Sequence, residues 1–204
     1  MSQEFPDLLR SRARVSPHSL ALKVGPLKWS YRDLHERVAS LSAVLLSRGV
    51  GKGARVALLM HPSEGYVTLL HAIARLGAVA VPLNHRQSAK ELRAQLLDSA
   101  PSLVVHDASF ERAAGRTDEG RPPGRVLASE LMEESESVRR PVAGGAMDIS
   151  APHALVYTSG SSGTPKGVVL TVSNMVWNAV SVGTRVGASP ADRWLLCMPL
   201  FHVG

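Results

Sequence analysis

The residues best suited to chemistry form one unbroken string, Tyr157-Thr158-Ser159-Gly160-Ser161-Ser162-Gly163-Thr164-Pro165-Lys166-Gly167-Val168. Glycines let a backbone turn tightly and approach a ligand closely. Hydroxyls and free backbone N–H groups are donors that can wrap phosphate oxygens. Lys166 adds a full positive charge suited to a polyphosphate. The chemistry implied is a nucleotide-phosphate cradle. A polar hairpin turn between two strands accounts for the same composition and remains open on residue types alone. The string is not a P-loop, because no Gly-Lys-Ser/Thr follows Gly160 at the required gap. It is not a dinucleotide fingerprint either, which needs G-x-G-x-x-G opening a helix. His202 is the second candidate. A histidine can donate to an anion and changes charge near neutral pH, although a strand-end histidine packed in the core is the plainer alternative. The other histidines lack metal-ligand spacing such as H-E-x-x-H, so no metal ligands are assigned. Gly49-Val50-Gly51-Lys52-Gly53 has phosphate-friendly composition, but a helix-to-strand turn explains it.

These groups need elements to hold them. Ala154 to Tyr157 reads as a buried strand, and Val168-Val169-Leu170 resumes apolar character after the loop. Upstream, Phe5, Leu8 and Leu9 have helical spacing, and Ala21 to Val24 reads as a short strand. Ser30 with Asp33 resembles a capping box. Leu34, Val38, Leu41 and Leu45 then mark one helix face, closed by Gly49 as the residue past the C-cap. Arg55 to Met60 is a buried-strand run. A helix carrying Tyr66, Leu69, Leu70, Ile73 and Leu76 ends at Gly77, and Val79 to Leu83 is the next strand. Ser88 and Glu91 form another capping box before a helix with Leu92, Leu96 and Leu97. Leu103 to His106 is a further strand. Alternating helices and wholly apolar strands predict an α/β fold with a parallel sheet covered on both faces. Residues 111–150 break the pattern and read as a flexible connector, with a short surface helix over 130–138. Asn174 is a candidate cap for a helix over 175–182.

The chain has 204 residues, 45% of them hydrophobic, enough for a packed core and too apolar for global disorder. Net charge is +6, but Arg and Lys are scattered and aromatics are only 4%, which argues against nucleic acid. No stretch approaches the roughly 18 apolar residues of a membrane span, and residues 1–14 have no apolar signal core. The single cysteine, Cys197, sits in an apolar run and reads as a buried, inert thiol in a reducing cytoplasm. Nothing in the sequence bears on oligomeric state.

The full string from Tyr157 to Val168 resembles the phosphate-binding signature of the adenylate-forming superfamily of acyl-CoA synthetases, luciferases and peptide-synthetase adenylation domains. Three further segments are similar to that family in the same order. They are Trp29-Ser30-Tyr31-Arg32-Asp33-Leu34, Leu76-Gly77-Ala78-Val79-Ala80-Val81-Pro82-Leu83-Asn84, and Pro199-Leu200-Phe201-His202-Val203-Gly204. The resemblance implies the N-terminal part of the large domain of an enzyme that activates a carboxylic acid with ATP and Mg²⁺ and passes the acyl group to coenzyme A. It implies that Thr158, Ser159, Gly160, Ser161, Ser162, Gly163, Thr164, Lys166 and Gly167 hold the phosphates. Lys166 and His202 would serve the chemistry, with His202 lining the acid pocket. The segments 174–179 and 192–204 look most like 2-succinylbenzoate–CoA ligases of menaquinone biosynthesis. Fatty-acyl or aryl-CoA synthetases and peptide-synthetase adenylation domains are the alternatives. The family's adenine-binding Tyr-Gly-x-Thr-Glu, its ribose-binding Thr-Gly-Asp and its late lysine are absent. The expectation is therefore a partial AMP-binding domain spanning 1–204, with apolar surface left open and no ligase turnover of its own. An inactive remnant or binding module is the remaining possibility.

Overall fold

The computed structural model describes residues 4–114, 123–158 and 165–202. Its centre is a six-stranded sheet. In chain order the strands are β4 (Arg55–Leu59), β5 (Val79–Pro82), β6 (Leu103–His106), β7 (Gly124–Leu127), β9 (Pro152–Thr158) and β10 (Lys166–Thr171), and their spatial order is β10-β9-β5-β4-β6-β7. All neighbours run parallel except β9 and β10, which form an antiparallel hairpin. The parallel expectation therefore holds for five strands, and the sixth folds back on its predecessor.

The central strands are apolar on every side chain because both faces are covered. On one face Val56, Leu58, Ala80, Val105 and Val126 pack against α2 (Tyr31–Ser47), α3 (Glu64–Arg75) and α6 (Ala128–Glu136). On the other, Ala57, Leu59, Val81 and Val104 meet Leu92 and Leu96 of α4 (Ala89–Ser99) and Ala114 of α5 (Glu111–Ala114). Each fully buried leucine or isoleucine here contributes about 1.5–3 kcal/mol. The helix starts are local in origin. Ser30 with Asp33 and Ser88 with Glu91 form reciprocal capping boxes, which satisfy backbone donors that the first helical turn leaves unpaired. Gly49 follows α2 at φ +82, a left-handed position that glycine adopts without steric penalty.

Two segments depart from the sequence reading. Phe5 lies in a short strand, β1 (Glu4–Pro6), which pairs with β8 (Ala146–Asp148), and the helix α1 begins only at Leu8 (Leu8–Val15). Asp7 caps α1 by accepting from the Arg10 backbone N–H, so the helix start is set by the aspartate and not by apolar spacing. Within 111–150 the structure places β7, α6 and β8, and Val126 and Leu131 are buried. This stretch carries more regular structure than its composition suggests, because β7 opens on Gly124 and Arg125 and so writes no apolar run. The expected strand over 21–24 is β2 (Leu20–Val24), paired with β3 (Leu27–Ser30). An ion pair ties the N-terminus to this body: Arg75 Nε donates to Asp7 Oδ2 at 2.9 Å, and the Arg75 side chain is almost wholly buried. The last helix, α7 (Val172–Val186), is capped by Thr171, with Asn174 closing the box from inside the first turn. Asn174 is thus a capping partner and not the cap itself.

Candidate active site

Strands β4, β5, β6 and β9 point their carboxyl ends to one edge of the sheet, where α/β folds bind ligands. The glycine-rich string leaves β9 at this edge. Its residues Ser159, Gly160, Ser161, Ser162, Gly163 and Thr164 lie outside the described residues, but both of its anchors are placed. Thr158 and Lys166 face each other as the terminal pair of the β9–β10 hairpin, and the Thr158 hydroxyl reaches the Lys166 carbonyl at a long 3.5 Å. Lys166 is exposed and makes no ion pair among the described residues. Its charge is therefore not committed to any described residue. Gly167 stands opposite Tyr157, and a Cβ there would come within 2.9 Å of Leu155 Cδ1 and 3.4 Å of the Tyr157 ring. Glycine lets β10 close onto β9, a packing role that adds to the ligand role expected of it.

The same end of the hairpin is pinned to α4. The Tyr157 hydroxyl donates to Asp98 Oδ2 at 2.6 Å and lies 3.1 Å from the Gln95 carbonyl. Burial and the Asp98 carboxylate push the phenol well above its ordinary pKa, so Tyr157 remains a neutral donor. Its ring packs in the α4-side core. Both readings of the string thus meet in one object: a hairpin in topology, with a hydroxyl and an uncommitted cation at its open end.

His202 reaches the same end of the molecule through Phe201. Phe201 is buried, and the two rings lie 4.7 Å apart. His202 itself is exposed, with its backbone N–H donating to the Pro199 carbonyl at 3.0 Å. The core-packed alternative for His202 therefore fails, and the side chain is free to meet a ligand. Sequence reasoning missed what Phe201 rests on. His85, just past β5, meets Phe201 edge-on at 5.2 Å, and His61, just past β4, and Phe110 complete a ring cluster at 4.8–5.5 Å. Asp107, just past β6, accepts the His61 backbone N–H at 2.7 Å. These residues come from separate strand ends, and no local spacing links them. The signal available was their common place, one to four residues beyond the apolar strands β4, β5 and β6.

Cys197 is exposed, as are Leu195 at 86% and Leu196 at 62%. The expected burial of this thiol is corrected: no described element packs over the run that carries it. No group of three or more acidic, histidine or cysteine side chains among the described residues could cage a metal ion.

The AMP-binding enzyme family matches residues 9–204. The chain belongs to that family. Among curated relatives, a 2-succinylbenzoate–CoA ligase of Bacillus cereus is 34% identical over 206 residues, covering 100% of this chain and 40% of the relative. A feruloyl-CoA synthase of Amycolatopsis is 39% identical over 192 residues, covering 94% and 38%. Among solved structures, o-succinylbenzoate CoA synthetase of Bacillus subtilis in complex with its acyl-adenylate intermediate superposes with a TM-score of 0.89 at 31% identity, covering 98% of this chain and 51% of that one. The chain thus spans about two fifths of the length of the curated relatives it matches.

Proposed function

We propose that this chain provides the phosphate-binding hairpin and one wall of the acid pocket of an ATP-dependent acid–CoA ligase, with 2-succinylbenzoate as the first-choice acid. The observation that carries this reading is the Thr158–Lys166 pair at the open end of a hairpin on the ligand-binding edge of the sheet, within a chain of the AMP-binding family. The residues fit the group they would hold. A lysine with no counter-ion among the described residues can neutralise phosphate charge, and hydroxyl and backbone donors from Thr158 to Gly167 can wrap the β- and γ-oxygens. ATP supplies the activating chemistry: the acid carboxylate attacks the α-phosphorus, and pyrophosphate leaves. Little covalent work falls to the protein in such a transfer, so clamping and alignment are its contribution. Mg²⁺ would be held mainly by the phosphates, since such sites use few protein ligands. In this reading His202, exposed beside the buried Phe201, meets the incoming acid and donates to it. Coenzyme A is the acyl acceptor in this reading, and a cytoplasmic setting supplies both nucleotides.

A second acid class has specific support, because the feruloyl-CoA synthase is the more identical of the two relatives. Exchange of labelled pyrophosphate into ATP separates the cases. We expect exchange to depend on 2-succinylbenzoate in the protein completed by the remaining portion of a related ligase. Exchange with ferulate alone would move the assignment to phenylpropenoic acids. Exchange with amino acids alone would overturn the CoA-ligase reading.

A further inference from the structure

The sheet reverses its strand order beside β4, where α3 and α4 depart to opposite faces. Such a switch point normally leaves a crevice for ligand. Here His61, His85 and Phe110 fill it with rings. The outer ring of this stack, His85, meets Phe201 edge-on at 84° and 5.2 Å, and Phe201 meets His202 at 4.7 Å. We propose that His85 is a positioning residue, whose imidazole, braced by His61 and Phe110, fixes Phe201 and thereby sets His202 against the incoming acid. This inference rests on the ligase reading for the meaning of His202, but its geometry does not.

Three observations support it. Phe201 is 5% exposed in a stretch where the preceding Leu195 is 86% exposed, and the ring contact with His85 accompanies that burial. The turn that holds His202 N–H on the Pro199 carbonyl couples His202 directly to its buried neighbour. The His85 Nδ1 is buried with no hydrogen-bond partner among the described residues, and the ring's edge-on contact with Phe201 links it to the segment that carries His202. A phenylalanine would fill this space without burying a polar nitrogen. A histidine instead makes the brace sensitive to protonation. Burial first, then His61 and Arg86, lower the pKa of the ring below the ordinary histidine value, while the Asp107 carboxylate opposes them. A charged His85 would face His61 and Arg86 and would call for water where Phe201 packs.

The test compares His85→Ala, His85→Phe and the unchanged protein. In pyrophosphate exchange, His85→Ala should raise KM for the acid roughly tenfold, the scale expected of a misplaced substrate contact, while KM for ATP stays unchanged. His85→Phe should restore the acid KM at pH 8 and abolish the loss of acid affinity below the ordinary histidine pKa. A proportional rise in both KM values, or an unchanged acid KM in His85→Ala, would overturn the proposal. The second readout needs no ligase activity: the His202 ring signal in a proton–carbon NMR spectrum of the 204-residue chain. It should move in His85→Ala and stay put when the exposed His18 is replaced. A His202 signal indifferent to His85 refutes the brace even if no acid supports exchange. A shifted signal without exchange keeps the brace and rejects the ligase reading.

Discussion

Strands β4 and β10 are built from similar apolar residues and meet opposite fates. In β4, Val56, Ala57, Leu58 and Leu59 are all fully buried, whereas in β10 Val168 is 42% and Val169 is 54% exposed. The difference lies in neighbours. β4 has a strand on each side and a helix layer on each face, while β10 pairs only with β9 and ends the sheet. Helix α7 shows the same contrast with α2. Seven residues of α2 are buried but only Val172 of α7, and a cavity of about 180 Å³ separates Met175, Val176 and Ala179 from Leu8, Leu9 and Ala74. An apolar run records what a segment is suited to be buried by. Only the surrounding elements decide whether burial happens. The open faces of β10 and α7 match the expectation of unfilled apolar surface, and they flank the hairpin that carries Thr158 and Lys166.

The contrast can be broken most directly by truncating matched side chains. Leu58→Ala should destabilise the chain by about 2–5 kcal/mol, because it leaves a cavity between packed layers. Val169→Ala should change stability by no more than about 0.5 kcal/mol, the usual range for surface positions. Denaturant titration measures both, and equal losses would mean that β10 is as tightly packed as β4.

A smaller effect should follow from pH. His35 is held below its ordinary pKa by burial and then by the Arg75 charge, His153 by burial, and His85 by burial and then His61. Unfolded, each titrates near 6.5. Below that value the unfolded chain binds more protons than the folded one, so stability falls as pH drops towards the lowered folded values, and it is fully present above about 6.5. Tm should therefore be lower at pH 5 than at pH 7.5. All three histidines lie in the body and none in α7, so acid should loosen the well-packed region. An unchanged Tm would mean that these rings are solvated.

The same contrast explains what the sequence could show. The Ser30/Asp33 and Ser88/Glu91 boxes and the leucine period of α2 are local signals, and they survive into the structure unchanged. Strands β4, β5 and β6 were legible because burial on both faces writes an uninterrupted apolar run. The antiparallel turn of β10 was legible only as the hairpin alternative for the phosphate string, since pairing direction depends on a partner strand. β1 has only three residues, and β7 opens on Gly124 and Arg125, so neither writes an apolar run. Lys166 and Thr158 were legible because the phosphate string is contiguous. The brace of His61, His85 and Phe110 under Phe201 was not, because it assembles residues up to 140 positions apart.

The central claim is that the open end of the β9–β10 hairpin binds phosphate through Lys166. It is tested most directly by calorimetric titration of pyrophosphate into the 204-residue chain and its Lys166→Ala variant, with thermal denaturation of both. The account predicts that the variant loses pyrophosphate binding at least about tenfold, the equivalent of one charge-assisted contact, while its Tm is unchanged because Lys166 is exposed and makes no ion pair among the described residues. Equal pyrophosphate affinity in both proteins, or a matching fall in Tm, would make Lys166 a structural residue of the hairpin and would contradict the account.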